Sequence, residues 1–542
     1  MPHVVTQACC GDASCAFACP VNAIHPTPDE PDFATAEMVY IDPVSCVDCG
    51  ACITACPVGA ITRDYRLTDT ELPFVDINAM FHEPAREYPP QAPVTPIVRK
   101  HDAQRTLSVA IVGAGPAALY AADELLKRPR TEVTVIDRLP TPYGLVRAGV
   151  APDHPATRTI TRLFGQIEDQ EGFSYALGVE VGVDVTHAEL AVRHHAVLYA
   201  TGASLDRRVG ITGEDLPGSV TATDFVAWYN GHPDQADASF DLSHRTAVII
   251  GNGNVALDVA RILASDPERL ATTDIADHAL EALRGSAVRE VVLLARRGPA
   301  QSAFTLPELT GLLSHPDFDV VVEGDLVDEL AVASDDPMTR LKVDALRDRP
   351  DAKRPRRIVL RYQSAPVEIC GTAAVDGVRV ATTRLVGTPG AVRAEITEKT
   401  EIVTTGLVLR SVGYRGRGVP DLPFDQQRAV VPNSRGRVDE MPGTYVAGWI
   451  KRGPTGFIGT NKTCAQETVD RLVEDFNAGD LPDPSATGGL EPLLRSRGIG
   501  VIDRSGWRRI DVLERRRGLA QGRPRVRYPR LVDMRAAAVA QR

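Results

Sequence analysis

Eight of the ten cysteines in this 542-residue chain lie within its first 56 residues, in two sets of matching spacing. The later set is Cys46, Cys49, Cys52 and Cys56-Pro57, a C-x2-C-x2-C-x3-C-P run of the kind that holds iron–sulfur clusters through thiolates. Moved back by 37 residues, the same spacing falls on Cys9, Asp12, Cys15 and Cys19-Pro20. The flanks repeat as well, since Cys19-Pro-Val-Asn-Ala-Ile24 answers Cys56-Pro-Val-Gly-Ala-Ile61. The opening segment is therefore an internal repeat in which one cysteine position is taken by aspartate.

Two copies imply two clusters. In two-cluster ferredoxins the fourth cysteine of each run ligates the other cluster, which predicts Cys46, Cys49, Cys52 and Cys19 around one 4Fe-4S cluster. Cys9, Cys15 and Cys56 are then expected around its partner, with Asp12 facing the fourth iron. A carboxylate is a harder and weaker ligand than a thiolate for that iron, so a 3Fe-4S cluster is expected there, with conversion to 4Fe-4S left open. Cys10 is left over, and could replace Asp12 only if the loop shifted. A disulfide framework belongs to short secreted chains, and the opening Met1-Pro-His-Val-Val-Thr6 has neither a basic n-region nor an apolar h-region. Structural zinc sites show two cysteine pairs well apart, which is not this spacing.

At about 150 residues per domain, the length predicts three or four domains. No apolar stretch approaches the roughly 18 residues of a membrane span, and with reduced thiols a cytoplasmic location is expected. The net charge of −11 is spread unevenly. Residues 1–64 carry eight carboxylates against Arg63 alone, whereas the segment from Arg495 to Arg542 carries fourteen arginines against four carboxylates. An acidic cluster carrier and a basic surface elsewhere suit electrostatic docking of redox partners. Nucleic-acid binding is the rival use of an arginine-rich tail, but this one is interleaved with Val501, Ile502, Trp507, Ile510, Val512 and Leu513, which predicts packed helix and no nucleic-acid partner. Between Tyr65 and Arg105 prolines accumulate, which predicts a semi-rigid linker.

Two dinucleotide sites follow. Ser108-Val-Ala-Ile-Val-Gly113-Ala-Gly115-Pro-Ala117 reads as a buried strand, a glycine turn and a helix start, whose glycines let backbone amides meet a pyrophosphate. The next strand, Glu132-Val-Thr-Val-Ile136-Asp137, ends in an acid 24 residues after Gly113, where the acceptor for a ribose hydroxyl belongs. A second copy runs from Ala247 through Gly251, Asn252, Gly253, Asn254 and Val255. Its following strand, Glu290-Val-Val-Leu-Leu-Ala295, ends in Arg296-Arg297, which suit the 2′-phosphate of NADP and not a bare ribose. The 45 residues from Gly251 to Arg296 require a helical insertion at Asp266–Arg289. An acid-ended site before an arginine-ended one suits FAD first and NADPH second.

From about Thr106 onward the chain resembles the adrenodoxin-reductase and bacterial ferredoxin–NADP reductase family. The resemblance rests on Pro142-Tyr-Gly-Leu-Val-Arg147-Ala-Gly-Val-Ala-Pro-Asp-His154-Pro155, Asn252 to Leu263, Arg296-Arg-Gly-Pro299, and Gly448-Trp-Ile-Lys-Arg-Gly-Pro-Thr-Gly456-Phe-Ile-Gly459. With the cluster segment attached, the whole resembles the fused ferredoxin/ferredoxin–NADP reductases of actinobacteria. The resemblance implies an α+β two-cluster ferredoxin domain followed by an α/β glutathione-reductase-like pair of dinucleotide-binding domains. The expected boundaries are a cluster domain at 1–64, a linker at 65–105, an FAD domain at 106–207 and 406–542, and an NADP domain at 208–405. It also implies that Gly113, Gly115, Ala117, Asp137 and Leu145 line FAD, with Val181 at the adenine end and Trp449 and Gly456-Phe457-Ile458 at the flavin ring. Asn252 to Val255 would meet the NADP pyrophosphate, Arg207, Arg296 and Arg297 the phosphorylated ribose, and Glu308 the carboxamide. His154 would sit near the flavin to orient groups or relay protons. Phe457, where relatives tend to have valine, and Asp137, where glutamate is commoner, depart from the family pattern. The implied activity passes electrons from NADPH through FAD and the clusters to an external one-electron acceptor, a free ferredoxin or a cytochrome P450, and is reversible in principle. An electron-input protein resembling the small subunit of glutamate synthase is the alternative.

Overall fold

The computed structural model describes residues 2–324, 336–347, 353–388, 391–486 and 489–540. The internal repeat of the cysteine segment is visible in its backbone. Each half has a five-residue helix, Ser14–Ala18 or Ala51–Ala55, entered through a left-handed residue, Ala13 at φ 55° or Gly50 at φ 78°. Each helix stops at the cysteine of a Cys-Pro pair, because the residue before a proline is pushed out of the helical region; Cys19 and Cys56 both have φ −75° with ψ near 116° and 115°. Two short antiparallel pairs complete the unit, His3–Val5 with Ile61–Arg63 and Ile24–His25 with Tyr40–Ile41.

The linker expected at 65–105 is only partly a linker. Residues Pro73–Phe81 form a helix that buries Phe74 and Ile77 in the core of the cluster unit. Its Asn78 Oδ1 accepts from the amides of Val5 (3.2 Å) and Ile41 (2.9 Å), and its Nδ2 donates to Val5 O at 2.9 Å. Proline density hid this element: Pro73 sits at the first helical turn, where a missing N–H costs nothing, and Pro84 follows the end. After it the chain is tied down twice, by Asn22 Nδ2 donating to Pro89 O (2.8 Å) and by the Val98 N–H donating to Asp470 Oδ1 (3.0 Å).

The first dinucleotide unit is built on a seven-stranded sheet. Leu107–Val112 lies within it between Ala196–Tyr199 and Thr131–Asp137, all parallel. Such strands are apolar on both faces because helices cover both; here Pro116–Leu126 and Thr460–Ala478 pack on one of them through Leu119, Ala122, Val469 and Leu472. The second unit has a six-stranded parallel sheet, in order Ser219–Thr221, Leu407–Arg410, Thr246–Ile250, Glu290–Leu294, Arg357–Arg361 and Asp319–Glu323. The insertion between Gly251 and Arg296 is helical, at Pro267–Leu270 and Asp277–Arg284. The boundary expected at 405/406 is displaced, because Leu407–Arg410 pairs with Thr246–Ile250 and so belongs to the second sheet. The chain returns to the first unit through Tyr414–Arg415, which pairs with Leu205–Asp206.

The tail does pack, through the helices Arg504–Leu519 and Leu531–Val539 and the buried residues Trp507, Ile510 and Met534. Many of its arginines are paired with carboxylates and so are not a free basic surface. Arg525 pairs with Glu514 (3.0 Å), Arg527 with Asp274 (2.7 Å), Arg523 with Asp277 (2.6 Å), and Arg508, Arg497 and Arg530 with Asp169, Glu189 and Asp237. Among the described residues no helix is long and apolar enough to cross a membrane.

Candidate functional site

The crossed pattern of the cysteines is reproduced in space. Cys9, Cys15, Cys56 and Asp12 line one small cavity with Val5, Val39 and Ile61, and Cys10 lines it too. Cys52 has Cys46, Cys19 and Cys49 as neighbours, and burial with their proximity pushes its thiol up to about 11. Burial likewise pushes Cys9 up to about 11 and raises Cys15. All ten cysteines are free of disulfides. The two halves even share a hydrogen bond to sulfur: Ala23 N–H donates to Cys19 Sγ and Ala60 N–H to Cys56 Sγ, each at 3.2 Å. Asp12 differs from its cysteine counterparts. Its carboxylate accepts from Ser14 Oγ (2.5 Å) and the Ser14 amide (3.3 Å), and Lys462 Nζ lies 3.9 Å away.

The cluster unit is seated on both dinucleotide units. Against the first, Gly459 N–H donates to Cys10 O at 2.7 Å, and Lys462 Nζ donates to Ser14 Oγ at 2.9 Å. A β-carbon on Gly459 would come within 2.1 Å of the Asp12 amide nitrogen, so this seat requires glycine. Phe457 packs on Gly11, while Val58, Ala60 and Cys10 join the apolar core of the first unit. Against the second, Glu37 accepts from the Leu306 amide (2.6 Å) and from Lys342 Nζ (3.0 Å), and Gln7 Nε2 donates to Glu308 Oε2 at 2.7 Å. Leu306 is buried within the cluster unit's own core.

The two glycine turns have the same shape. Gly113 has φ 103° and Gly251 φ 122°, and a β-carbon on either would strike a backbone oxygen, Ala200 O at 2.5 Å or Ser411 O at 2.1 Å. Gly115 and Gly253 stand at the N-termini of the helices Pro116–Leu126 and Asn254–Ala264, and neither helix has a side-chain cap. A β-carbon on either glycine would meet nothing nearer than 4.0 Å, leaving a cradle of open amides that a pyrophosphate fits. Gly448, at φ 74°, brings its backbone onto Ala117, whose methyl a glycine β-carbon would meet at 2.6 Å. The small third residue of the first fingerprint is thereby explained. Asp137 accepts from the amides of Ala114 (2.8 Å) and Leu139 (2.9 Å), and burial raises it against these bonds.

Trp449 opens the short helix Trp449–Arg452 and lies 5.3 Å, centroid to centroid, from Tyr414. Leu145 is exposed in the turn below Gly144, and Val181 packs against the opposite face of the first sheet. In the second unit Asn254 Oδ1 accepts from the Thr305 amide at 2.8 Å. Arg296 and Arg297 follow the strand Glu290–Leu294 after Ala295, and among the described residues no carboxylate pairs with either guanidinium. Arg207 follows Leu205–Asp206 on the crossover between units, where its amide donates to Gly413 O at 2.9 Å.

Between the two dinucleotide units, His154 Nδ1 lies 3.5 Å from Glu308 Oε1, and ligand atoms of His154, Asp258 and Glu308 all fall within 4.8 Å of one another. The buried Arg261 organises this group, with Nε 2.6 Å from Asp153 and Nη2 2.5 Å from Asp258. Burial acts to raise Asp153, but the Arg261 charge prevails and holds it at about 2. Burial, reinforced by Glu308 and opposed by Arg261, pushes Asp258 up to about 6. Asp153, Asp258 and Arg261 all lie in motifs visible in the sequence, but nothing there marks them as one network. Gln7, Gly311 and Lys462 carry no sequence signal at all.

A cavity of about 610 Å³ opens beside this group, lined by Gln7, His154, Arg261, Gly311 and His315 among others. Burial holds His315 down at about 4, and its ring stacks on Phe318 at 4.5 Å. A histidine that resists protonation in the fold contributes stability that is complete above its ordinary value of 6.5 and is lost as the pH falls from there toward 4. The loss should reach at most about 3 kcal/mol. Urea midpoints measured across that range should therefore fall more steeply in the wild type than in His315→Gln; parallel curves would contradict the assignment.

Known proteins resemble the chain in the same parts. A family model described as a 4Fe-4S dicluster domain matches residues 8–60, and one described as a pyridine nucleotide-disulphide oxidoreductase matches residues 107–297. A protein of Mycobacterium tuberculosis (strain H37Rv) named probable ferredoxin/ferredoxin–NADP reductase is 54% identical over 99% of this chain and 95% of its own. The human mitochondrial NADPH:adrenodoxin oxidoreductase is 41% identical over 79% of this chain and 91% of its own. The solved structure of Mycobacterium tuberculosis FprA in complex with NADPH superposes with a TM-score of 0.75 at 43% identity, covering 80% of this chain and all of that one.

Proposed function

Since the chain belongs to the ferredoxin/ferredoxin–NADP reductase family, we propose that it takes hydride from NADPH and releases single electrons through its own cluster unit to an external acceptor, a ferredoxin or a cytochrome P450. The observation that carries this reading is the seat of the cluster unit. The cavity of Cys9, Cys15 and Cys56 lies beside the Gly456–Gly459 loop, joined to it by the Gly459–Cys10 hydrogen bond. FAD, when bound, supplies the change from two-electron to one-electron chemistry, and bound clusters carry the single electrons.

The chain's own residues provide position and charge. Gly113, Gly115, Ala117, Asp137, Leu145 and Val181 would hold FAD, with Trp449 and Gly456 to Ile458 at the ring. Asn252 to Val255 would hold the NADP pyrophosphate at the Gly253 helix start, with Glu308 on the carboxamide and Arg207 near the phosphorylated ribose. His154, beside Glu308, is suited to orient groups or pass a proton. Cys46, Cys49, Cys52 and Cys19 would hold a 4Fe-4S cluster, and Cys9, Cys15 and Cys56 a 3Fe-4S cluster. The Asp12 carboxylate, already satisfied by Ser14 and Lys462, supports that inequality. Cys49 is exposed beside Val44 (92% exposed), Val47 (59%) and the acidic Asp42 and Asp48, an apolar and acidic rim that suits a docking acceptor. Free thiols throughout support a reducing, cytoplasmic compartment.

The test is anaerobic addition of NADPH followed by EPR, in which cluster signals of the reduced state should develop in the wild type. Arg296→Ala and Arg297→Ala should each raise the NADPH concentration required by about 10- to 100-fold, since a charged hydrogen bond to phosphate is lost. Reduction by NADH should change little. Equal losses with both nucleotides would contradict the 2′-phosphate assignment, and clusters that stay oxidised under NADPH would contradict the electron path.

A further inference from the structure

One side chain of the cluster unit reaches the second dinucleotide unit at Glu308. Gln7 Nε2 donates to Glu308 Oε2 at 2.7 Å, and Gln7 lines the neighbouring cavity of about 610 Å³ with His154, Arg261 and His315. Its berth is shaped for it. Gly311 lies three residues beyond Glu308 in the helix Leu306–Leu313, on the same face. A β-carbon there would come within 2.4 Å of Gln7 Nε2 and 2.5 Å of Gln7 Oε1, so only a bare backbone leaves room for the amide. The clasp of Glu37 on the Leu306 amide and Lys342 holds the neighbouring turn of the same helix.

A glutamine side chain and a nicotinamide ring carry the same group, a primary carboxamide whose N–H bonds need an acceptor. We propose that Gln7 is a built-in stand-in for the nicotinamide carboxamide, so that NADP(H) and the seated Gln7 compete for the Glu308 carboxylate. This rests on the reading of Glu308 given above. Glu308 Oε1 already faces His154 at 3.5 Å, which leaves Oε2 as the oxygen in dispute. The competition is reciprocal by linkage: a nucleotide that takes Glu308 weakens the cluster unit's hold on the second dinucleotide unit by the factor that Gln7 weakens the nucleotide. The grip on the first unit, through Gly459 and Lys462, does not involve Glu308 and stays. NADP(H) thus removes the Gln7 contact alone, loosening the hold on the second unit that Glu37 and Leu306 still maintain, and spares the hold beside the flavin.

The test is equilibrium titration of the full chain with NADP+ and with 2′,5′-ADP, which keeps the phosphorylated ribose and lacks the nicotinamide. Gln7→Ala should tighten NADP+ binding about three- to tenfold, the share of a charged hydrogen bond that survives exchange with water, and leave 2′,5′-ADP unchanged. Gln7→Asn, one methylene too short to reach Glu308, should do the same. Glu308→Gln should weaken NADP+ and spare 2′,5′-ADP. Unchanged or weaker NADP+ binding in both Gln7 variants, with Glu308→Gln still selective, would overturn the stand-in and keep the reading of Glu308. A Glu308→Gln variant that does not distinguish the two ligands would overturn both.

Discussion

Asp12→Cys should turn the first cysteine set into a second four-iron site, with loss of the oxidised-state EPR signal of a three-iron cluster and a gain of iron per chain. Asp12 lines the same cavity as Cys9, Cys15 and Cys56, but its carboxylate already accepts twice from Ser14 and lies 3.9 Å from Lys462 Nζ. A hard ligand so occupied binds a fourth iron weakly. A thiolate is the softer and stronger ligand, and it would complete a set whose other three members the fold already brings together. The substitution is also compatible with the seat, because what Gly459 requires close by is the Asp12 backbone and not its side chain. An unchanged three-iron signal in the variant would refute the argument, and would point to Cys10, which lines the same cavity.

Glu514→Ala should be the most damaging single change outside the clusters. The Glu514 side chain is fully buried and accepts from Arg147 (2.5 and 3.0 Å), from Arg525 (3.0 Å) and from the Tyr528 amide (3.1 Å). Burial acts to raise its carboxyl, but Arg147 and Arg525 prevail and hold it below the ordinary range. Removing one member of such a set leaves buried cations without a counterion, at a cost of about 3–5 kcal/mol. The exposed pair Arg530–Asp237 provides the contrast: Asp237→Ala should cost less than about 1 kcal/mol. Arg147 follows Leu145 and Val146 in the turn assigned to FAD, so Glu514→Ala should also lower the FAD retained per chain. Urea midpoints and flavin content of the two variants test this directly, and equal midpoints would contradict it.

The features legible in the sequence are those whose cause is local. Cysteine spacing, glycine turns and the acid or arginines at a strand end each state a requirement met within a few residues, and the structure brings Cys52 among Cys46, Cys49 and Cys19 as spacing implies. What escaped depends on partners far away along the chain. The helix Pro73–Phe81 was hidden by its own prolines, and its Asn78 is explained only by Val5 and Ile41. Leu407–Arg410 is apolar enough for either sheet, and register alone assigns it to the second. The tail arginines read as a free basic surface because Asp274, Asp277 and Asp237 lie hundreds of residues earlier. The seat of the cluster unit depends on Gly459, Gly311 and Gln7, none of which belongs to a motif that names a neighbour.

The connection between the cluster unit and the flavoprotein is pinned at Pro89 by Asn22 and at Val98 by Asp470 and by Arg128, whose Nε donates to Val98 O at 2.9 Å. The stretch between these pins can span at most about 30 Å when fully extended. A cluster unit that let go would remain on this short leash, presented to its own berth at an effective concentration of roughly millimolar order. A soluble carrier at ordinary cellular abundance would lose that contest. On the electron path proposed above, exchange with an external acceptor is therefore expected at the rim around Cys49, which needs no vacancy, with the berth kept for the resident.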